Sequence, residues 1–151
     1  MNTFYKVIDK VKEVIDAEPF NNELTFGDIA DIDLKKQSLF PLAHVTINNA
    51  TISNNYATLN ITIFFMDLVD ISNEQTTDLY RGNNNVQDIL NTQLALATRV
   101  MRVLQNADLY RSEFELINDA NCEPFTERFD NMLAGWAVTF DVGAKTNMNY
   151  C

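Results

Sequence analysis

Residues 135–142, Gly-Trp-Ala-Val-Thr-Phe-Asp-Val, constrain the fold more than any other stretch of the chain. Successive side chains of a strand point to opposite sides, so Trp136, Val138, Phe140 and Val142 share one face while Ala137, Thr139 and Asp141 share the other. A strand this bulky on one side, near the C-terminal end of the sequence, is expected to close a sheet whose other members come earlier. Residues 56–66 supply the clearest of those. Ala57, Leu59, Ile61, Ile63 and Phe65 alternate with Tyr56, Thr58, Asn60, Thr62 and Phe64, a β-branched, period-two run that suits a half-buried central strand. Residues 40–47 read as a strand led in by Pro41, a position that tolerates proline. The pattern predicts an antiparallel pair between 44–47 and 56–69, the second strand running on into Asp67-Leu-Val-Asp70. Asn48-Asn49 and Asn54-Asn55 read as turn material, with a short strand or hairpin flank over 50–53 between them.

Two segments carry helical rather than strand spacing. In residues 3–16, Phe4, Val7, Ile8, Val11, Val14 and Ile15 recur at steps of three and four, with Lys6, Asp9, Lys10, Lys12, Glu13 and Asp16 between them. Asn2 suits the N-cap, and Pro19 disfavours continuation past Glu18. The second helix starts at Asn85 as N-cap with Asp88 at N3, and Val86, Ile89, Leu90, Gln93, Leu94, Ala97, Val100, Met101 and Leu104 trace its apolar stripe to about residue 106. Arg99 and Arg102 lie towards its C-terminal end, where cations complement the helix dipole. Short extended pieces are expected near 23–26 and 31–35, and another around Phe114, Leu116 and Ile117, followed by a turn over 118–122. Helices segregated from a mainly antiparallel sheet give an α+β class. The 151 residues, with no repeat or linker, form a single domain, 1–151.

Charge and chemistry narrow the function. Eleven basic against twenty-one acidic residues give a formal charge of −10. That argues against a phosphate-binding surface, which needs clustered Lys and Arg, although an acidic channel wall lets DNA pass without sticking. No apolar run approaches the roughly 20 residues that span a bilayer. The start reaches Lys6, Asp9 and Lys10 too soon for a secretory signal, so a cytosolic origin is the simplest expectation.

Cys122 and Cys151 lack metal-ligand spacing and a histidine cluster, and no Gly-x-Gly-x-x-Gly, Walker A, Gly-x-Ser-x-Gly, His-Glu-x-x-His or paired Cys-x-x-Cys motif is present. The sole histidine, His44, has no evident nucleophile or second ligand beside it and reads as a hydrogen-bonded structural residue. Glu127 and Arg128, between Phe125 and Phe129, read as a structural ion pair. Asp67, Asp70, Glu74 and Asp78 do not match the spacing of a calcium loop, and Gly82 is misplaced for one. The Asn-rich stretch 70–85 therefore reads as an exposed interaction loop, and Lys35-Lys36 as a solvated turn. No catalytic residue, metal or cofactor is expected.

Four segments, taken in order, carry a resemblance. They are Asp33-Leu-Lys-Lys-Gln-Ser-Leu-Phe-Pro-Leu-Ala-His-Val45, Ile63-Phe-Phe-Met-Asp-Leu-Val-Asp70, Asp88-Ile-Leu-Asn-Thr-Gln-Leu-Ala95 and Glu123-Pro-Phe-Thr-Glu-Arg-Phe-Asp-Asn-Met-Leu-Ala-Gly-Trp136. Together they resemble the tail-terminator (tail-completion) proteins of tailed bacteriophages, including neck and tail ring proteins of crAss-like phages, over roughly residues 24–145. The resemblance implies an α+β subunit that assembles as a homo-oligomeric ring, sixfold against a tail tube or twelvefold against a portal. Neighbouring tail-tube, connector or portal proteins would be its partners. DNA would pass through the lumen without specific binding, and no membrane would be involved. It implies a location in the virion tail or neck, with the host cytoplasm as the site of assembly, and no catalytic residues. Each subunit of such a ring presents two different complementary patches. Asp28, Lys35, Lys36, Asp70, Glu74, Asp78 and Arg81 are the expected subunit-interface residues. The rival readings are a cellular small-ligand or peptide-binding α+β domain, with Trp136 and other aromatics lining a pocket, and a hydrolase built on His44.

Overall fold

Alternation in the sequence becomes a sheet with two unlike faces. The computed structural model describes residues 3–28, 40–54, 56–69, 80, 85–105, 114–128 and 133–145. In chain order the elements are α1 (Thr3–Asp16), β1 (Glu23–Phe26), β2 (Leu42–Ser53), β3 (Tyr56–Leu68), α2 (Val86–Gln105), β4 (Phe114–Leu116), β5 (Asn121–Arg128) and β6 (Leu133–Lys145). The strands form one mixed sheet in the order β1-β2-β3-β6-β4, with β5 also on the outer edge of β6. All pairings are antiparallel except β1 with β2, which is parallel. The class is α+β, as the sequence predicts.

The central pair is β3 with β6, in register from Tyr56 opposite Lys145 to Leu68 opposite Leu133. That register puts Phe65 beside Trp136, Ile63 beside Val138, Ile61 beside Phe140 and Leu59 beside Val142. This row of one face meets α1 and α2. Val7, Val11, Val14 and Ile15 of α1 and Leu96, Ala97, Val100, Met101 and Leu104 of α2 are buried in one cluster with Ala43, Val45, Leu59, Ile61, Ile63, Phe65, Val138, Phe140 and Val142. Burying each aliphatic side chain contributes roughly 1.5–3 kcal/mol, so this layer dominates the stability of the fold. Arg99 ties α2 to the end of α1. Its guanidinium bonds Glu18 at 3.0 Å and lies over the Phe20 ring, 5.4 Å from the centroid.

The other face is apolar at one end only. Phe40, Leu42, Met66, Phe125 and Leu133 form a second buried cluster, with Phe64, Leu68 and Ala137 packed on it. β3 is thus buried on both sides over its second half, and the expected half-buried strand holds only for its first half. Gly135 belongs to this doubly covered end. It lies opposite Met66, and a Cβ there would run into the Phe65 carbonyl oxygen, so only glycine allows β6 to approach β3 this closely.

Three local expectations are corrected. Asn48 and Asn49 do not turn the chain: β2 runs unbroken to Ser53, and the surplus residue is absorbed as a bulge where the register shifts between Ile47 and Asn49. The Asn48 amide holds the bulge by donating to Asn60 Oδ1 and Thr62 Oγ1, both at 2.7 Å. The segment around Pro124 is a strand, β5, which starts inside the expected 118–122 turn; proline is accommodated because β5 lies on the sheet edge. Finally, β6 is longer than the alternating run suggested, because Leu133, Ala134 and Gly135 at its start and Gly143 to Lys145 at its end also pair. The expected strand near 31–35, the Asn2 cap and most of the 70–85 loop lie outside the described residues.

Candidate functional site

At the other end of the second face, side chains that alternation turns away from the helices are polar and bond one another. On β2 they are His44, Thr46 and the bulged Asn48; on β3, Asn60 and Thr62; on β6, Thr139 and Asp141. Asn60 Nδ2 donates to Asp141 Oδ1 at 2.8 Å, and the hydroxyls of Thr62 and Thr139 are 3.0 Å apart. With the Asn48 bonds, a belt of hydrogen bonds crosses three strands. Thr62 is buried by it, whereas Asn48 is exposed and Asn60, Thr139 and Asp141 are partly exposed. The surface is hydrogen-bonding, and of these side chains only Asp141 is a carboxylate.

His44 anchors the belt at the β1 side. Its Nε2 lies 2.8 Å from the Gly27 carbonyl oxygen and its Nδ1 2.7 Å from Thr25 Oγ1. A carbonyl only accepts, so Nε2 carries the proton, and Nδ1 of the neutral ring accepts from the Thr25 hydroxyl. Thr46 Oγ1 donates to the same carbonyl at 2.9 Å. Gly27 can turn the chain here because its φ of 117° is open to glycine. Burial holds the imidazole below its ordinary pKa of 6.5, opposed by the bond to Gly27 and the negative charge of Asp28. Both ring nitrogens are hydrogen-bonded, as the sequence reading expects, and the ring is fully buried.

Trp136, Cys122 and Asp67 are the next candidates among the described residues. Trp136 Nε1–H donates to the Leu90 carbonyl at 2.8 Å, which docks the N-terminal part of α2 onto β6 and uses the indole as a packing anchor. Burial pushes the Cys122 thiol pKa up, against thiolate formation. Asp67 is half-buried, and its Oδ1 accepts the Leu68 N–H at 2.8 Å; burial raises its carboxyl pKa while that bond opposes the rise. No group of three or more metal-ligating side chains occurs among the described residues, and no helix among them is long and apolar enough to cross a membrane.

Of the expected interface residues, Asp28 is exposed just past the end of β1. Lys35, Lys36, Asp70, Glu74, Asp78 and Arg81 lie outside the described residues, as does the side-chain pairing of Glu127 with Arg128. Sequence reasoning missed the cross-strand belt. Its signal was the recurrence of Asn and Thr at alternate positions of β2 and β3 and of Thr139 and Asp141 in β6, which becomes a belt only once the register aligns them. No protein-family model matches the chain, and no curated protein matches it.

Proposed function

We propose that this chain is a non-enzymatic structural protein of a tailed-phage virion. It would be a ring-forming subunit of tail-terminator-like fold, sited at the tail end or head–tail junction, with DNA passing through the ring. The observation that carries this reading is the ordered resemblance of four segments across residues 24–145. Three features support it. Both helices lie on one face of a mostly antiparallel sheet, which leaves sheet edges and the polar part of the second face available to neighbours. The formal charge of −10 suits a lumen that repels phosphates. The hydrogen-bonded states of His44 and Trp136, and the burial that disfavours the Cys122 thiolate, favour structural over reactive roles.

The test is direct. Native mass measurement and negative-stain imaging of the purified chain are expected to give closed rings of sixfold or twelvefold symmetry, and the chain is expected in purified virions. A persistent monomer that never appears in particles would sink the proposal. His44→Ala should alter stability without abolishing any turnover; a hydrolytic activity that disappears with His44 would revive the enzyme reading.

A further inference from the structure

The sheet has three lengths of open edge among the described residues, and they are not equally protected. β1 is only four residues long and carries the exposed Glu23. The β4–β5 edge carries the exposed residues Glu115, Asp119, Glu123 and Pro124. Short strands, charges and proline are the usual devices that stop a strand edge from pairing with another chain. Beyond the end of β1, β2 carries neither charge nor proline, and its one such device is the bulge between Ile47 and Asn49, which leaves residues 49–53 regular. β1 covers only Leu42 to Val45, and from Asn48 to Ser53 every residue of β2 is exposed. Ile52, near the hairpin tip, is 83% exposed. Between Lys36 and Asp67 the sequence contains no Asp, Glu, Lys or Arg.

In a chain of charge −10, that neutrality favours a second copy as the occupant. Two copies repel wherever their acidic surfaces meet, and a like-charged approach costs least across the hairpin. An antiparallel pair of one strand with its own copy is self-complementary by construction, and so closes as a twofold interface. We propose that the β2 edge over residues 49–53 pairs antiparallel with the same edge of a second copy of this chain, making one sheet continuous across two molecules. Centred on Thr51, the pairing sets Thr51 opposite Thr51 of the second copy and Ile52 opposite Ala50 of the second copy. Ala50 and Ile52 share the side of the sheet that packs on the helices, since they lie opposite Leu59 and Ala57. Ile52 is thereby covered by an apolar neighbour, and the free backbone groups of the edge find partners. This contact is separate from the ring reading, which requires a head-to-tail interface in addition.

The experiment replaces Cys122 with Ala and Cys151 with Ser, then introduces Thr51→Cys. Mild oxidation is expected to convert most of the chain into a covalent species of two copies. Glu123→Cys in the same background, on the opposite edge, is expected to stay single. Light scattering should show Ile52→Lys halving the mass of the associating unit, with an unchanged circular dichroism spectrum to prove the fold intact. A chain that stays monomeric up to roughly 1 mM, a concentration that detects even a binding free energy near −4 kcal/mol, overturns the proposal. Rings that form without any Thr51→Cys cross-link also overturn it while leaving the ring reading in place; cross-linked pairs without rings do the reverse.

Discussion

At the residue scale, His44 and Gly135 carry the sharpest consequences. His44→Ala removes two partly buried hydrogen bonds and leaves a void where the buried ring sat, a combination expected to cost about 2–4 kcal/mol in a urea melt. The imidazole also makes stability depend on pH. Because its folded pKa lies below the ordinary 6.5, the unfolded chain binds more protons between the two values, and stability rises with pH across that window. The His44 contribution is complete above about pH 6.5 and declines as pH falls through 6.5 towards the lowered value. Thermal midpoints of the wild type and His44→Gln, followed across that range, should converge at the acid end. Asp67 has the opposite sign. Its raised pKa means that ionisation above the ordinary 3.8 works against the fold, so Asp67→Asn should leave the neutral-pH midpoint unchanged or higher. Gly135→Ala drives a methyl group into the Phe65 carbonyl between the two central strands, and loss of soluble folded protein is the expected outcome.

At the element scale, α2 and the β2–β3 hairpin separate packing from availability. Trp136→Phe keeps most of the aromatic bulk and deletes the bond to Leu90, so a loss of about 1 kcal/mol is expected by chemical denaturation. Leu96→Ala, in the middle of the helix–sheet core, should cost about 2–5 kcal/mol in the same assay. Both helices and the β3–β6 alternation were legible in the sequence, because a 3.6-residue or two-residue period survives whatever the tertiary partner. The bulge at Asn48 was not, since Asn-Asn favours a turn locally and only the partners Asn60 and Thr62 keep the strand going. β5 was hidden for a related reason: Pro124 argues against a strand unless that strand is known to be an edge. The second cluster went unseen because Leu42, Phe64 and Met66 sit at positions that alternation alone assigns to solvent, and what covers them is fixed by register with Phe125 and Leu133. The His44 site was half legible. A lone histidine suggested a structural role, but its partners Thr25 and Gly27 come from β1 and the residue just after it, and β1 pairs in parallel, a relation no local pattern encodes.

At the scale of the molecule, the two faces of the sheet are unevenly covered. The helices cover one face, the second cluster covers part of the other, and the neutral hairpin and polar belt remain uncovered among the described residues. The uneven cover has a kinetic consequence. β3 and β6 run side by side for their whole length, yet their Met66–Gly135 end lies between two apolar layers and their Tyr56–Lys145 end has one. Backbone amides at the first end can exchange with deuterium only when the whole domain opens, whereas those at the hairpin end can exchange through local fraying. In the isolated chain, exchange along β3 should therefore slow steadily from residue 57 to residue 66. Any assembly that engages the hairpin should flatten that gradient from its fast end, so deuterium uptake along one strand becomes a gauge of how far association has gone.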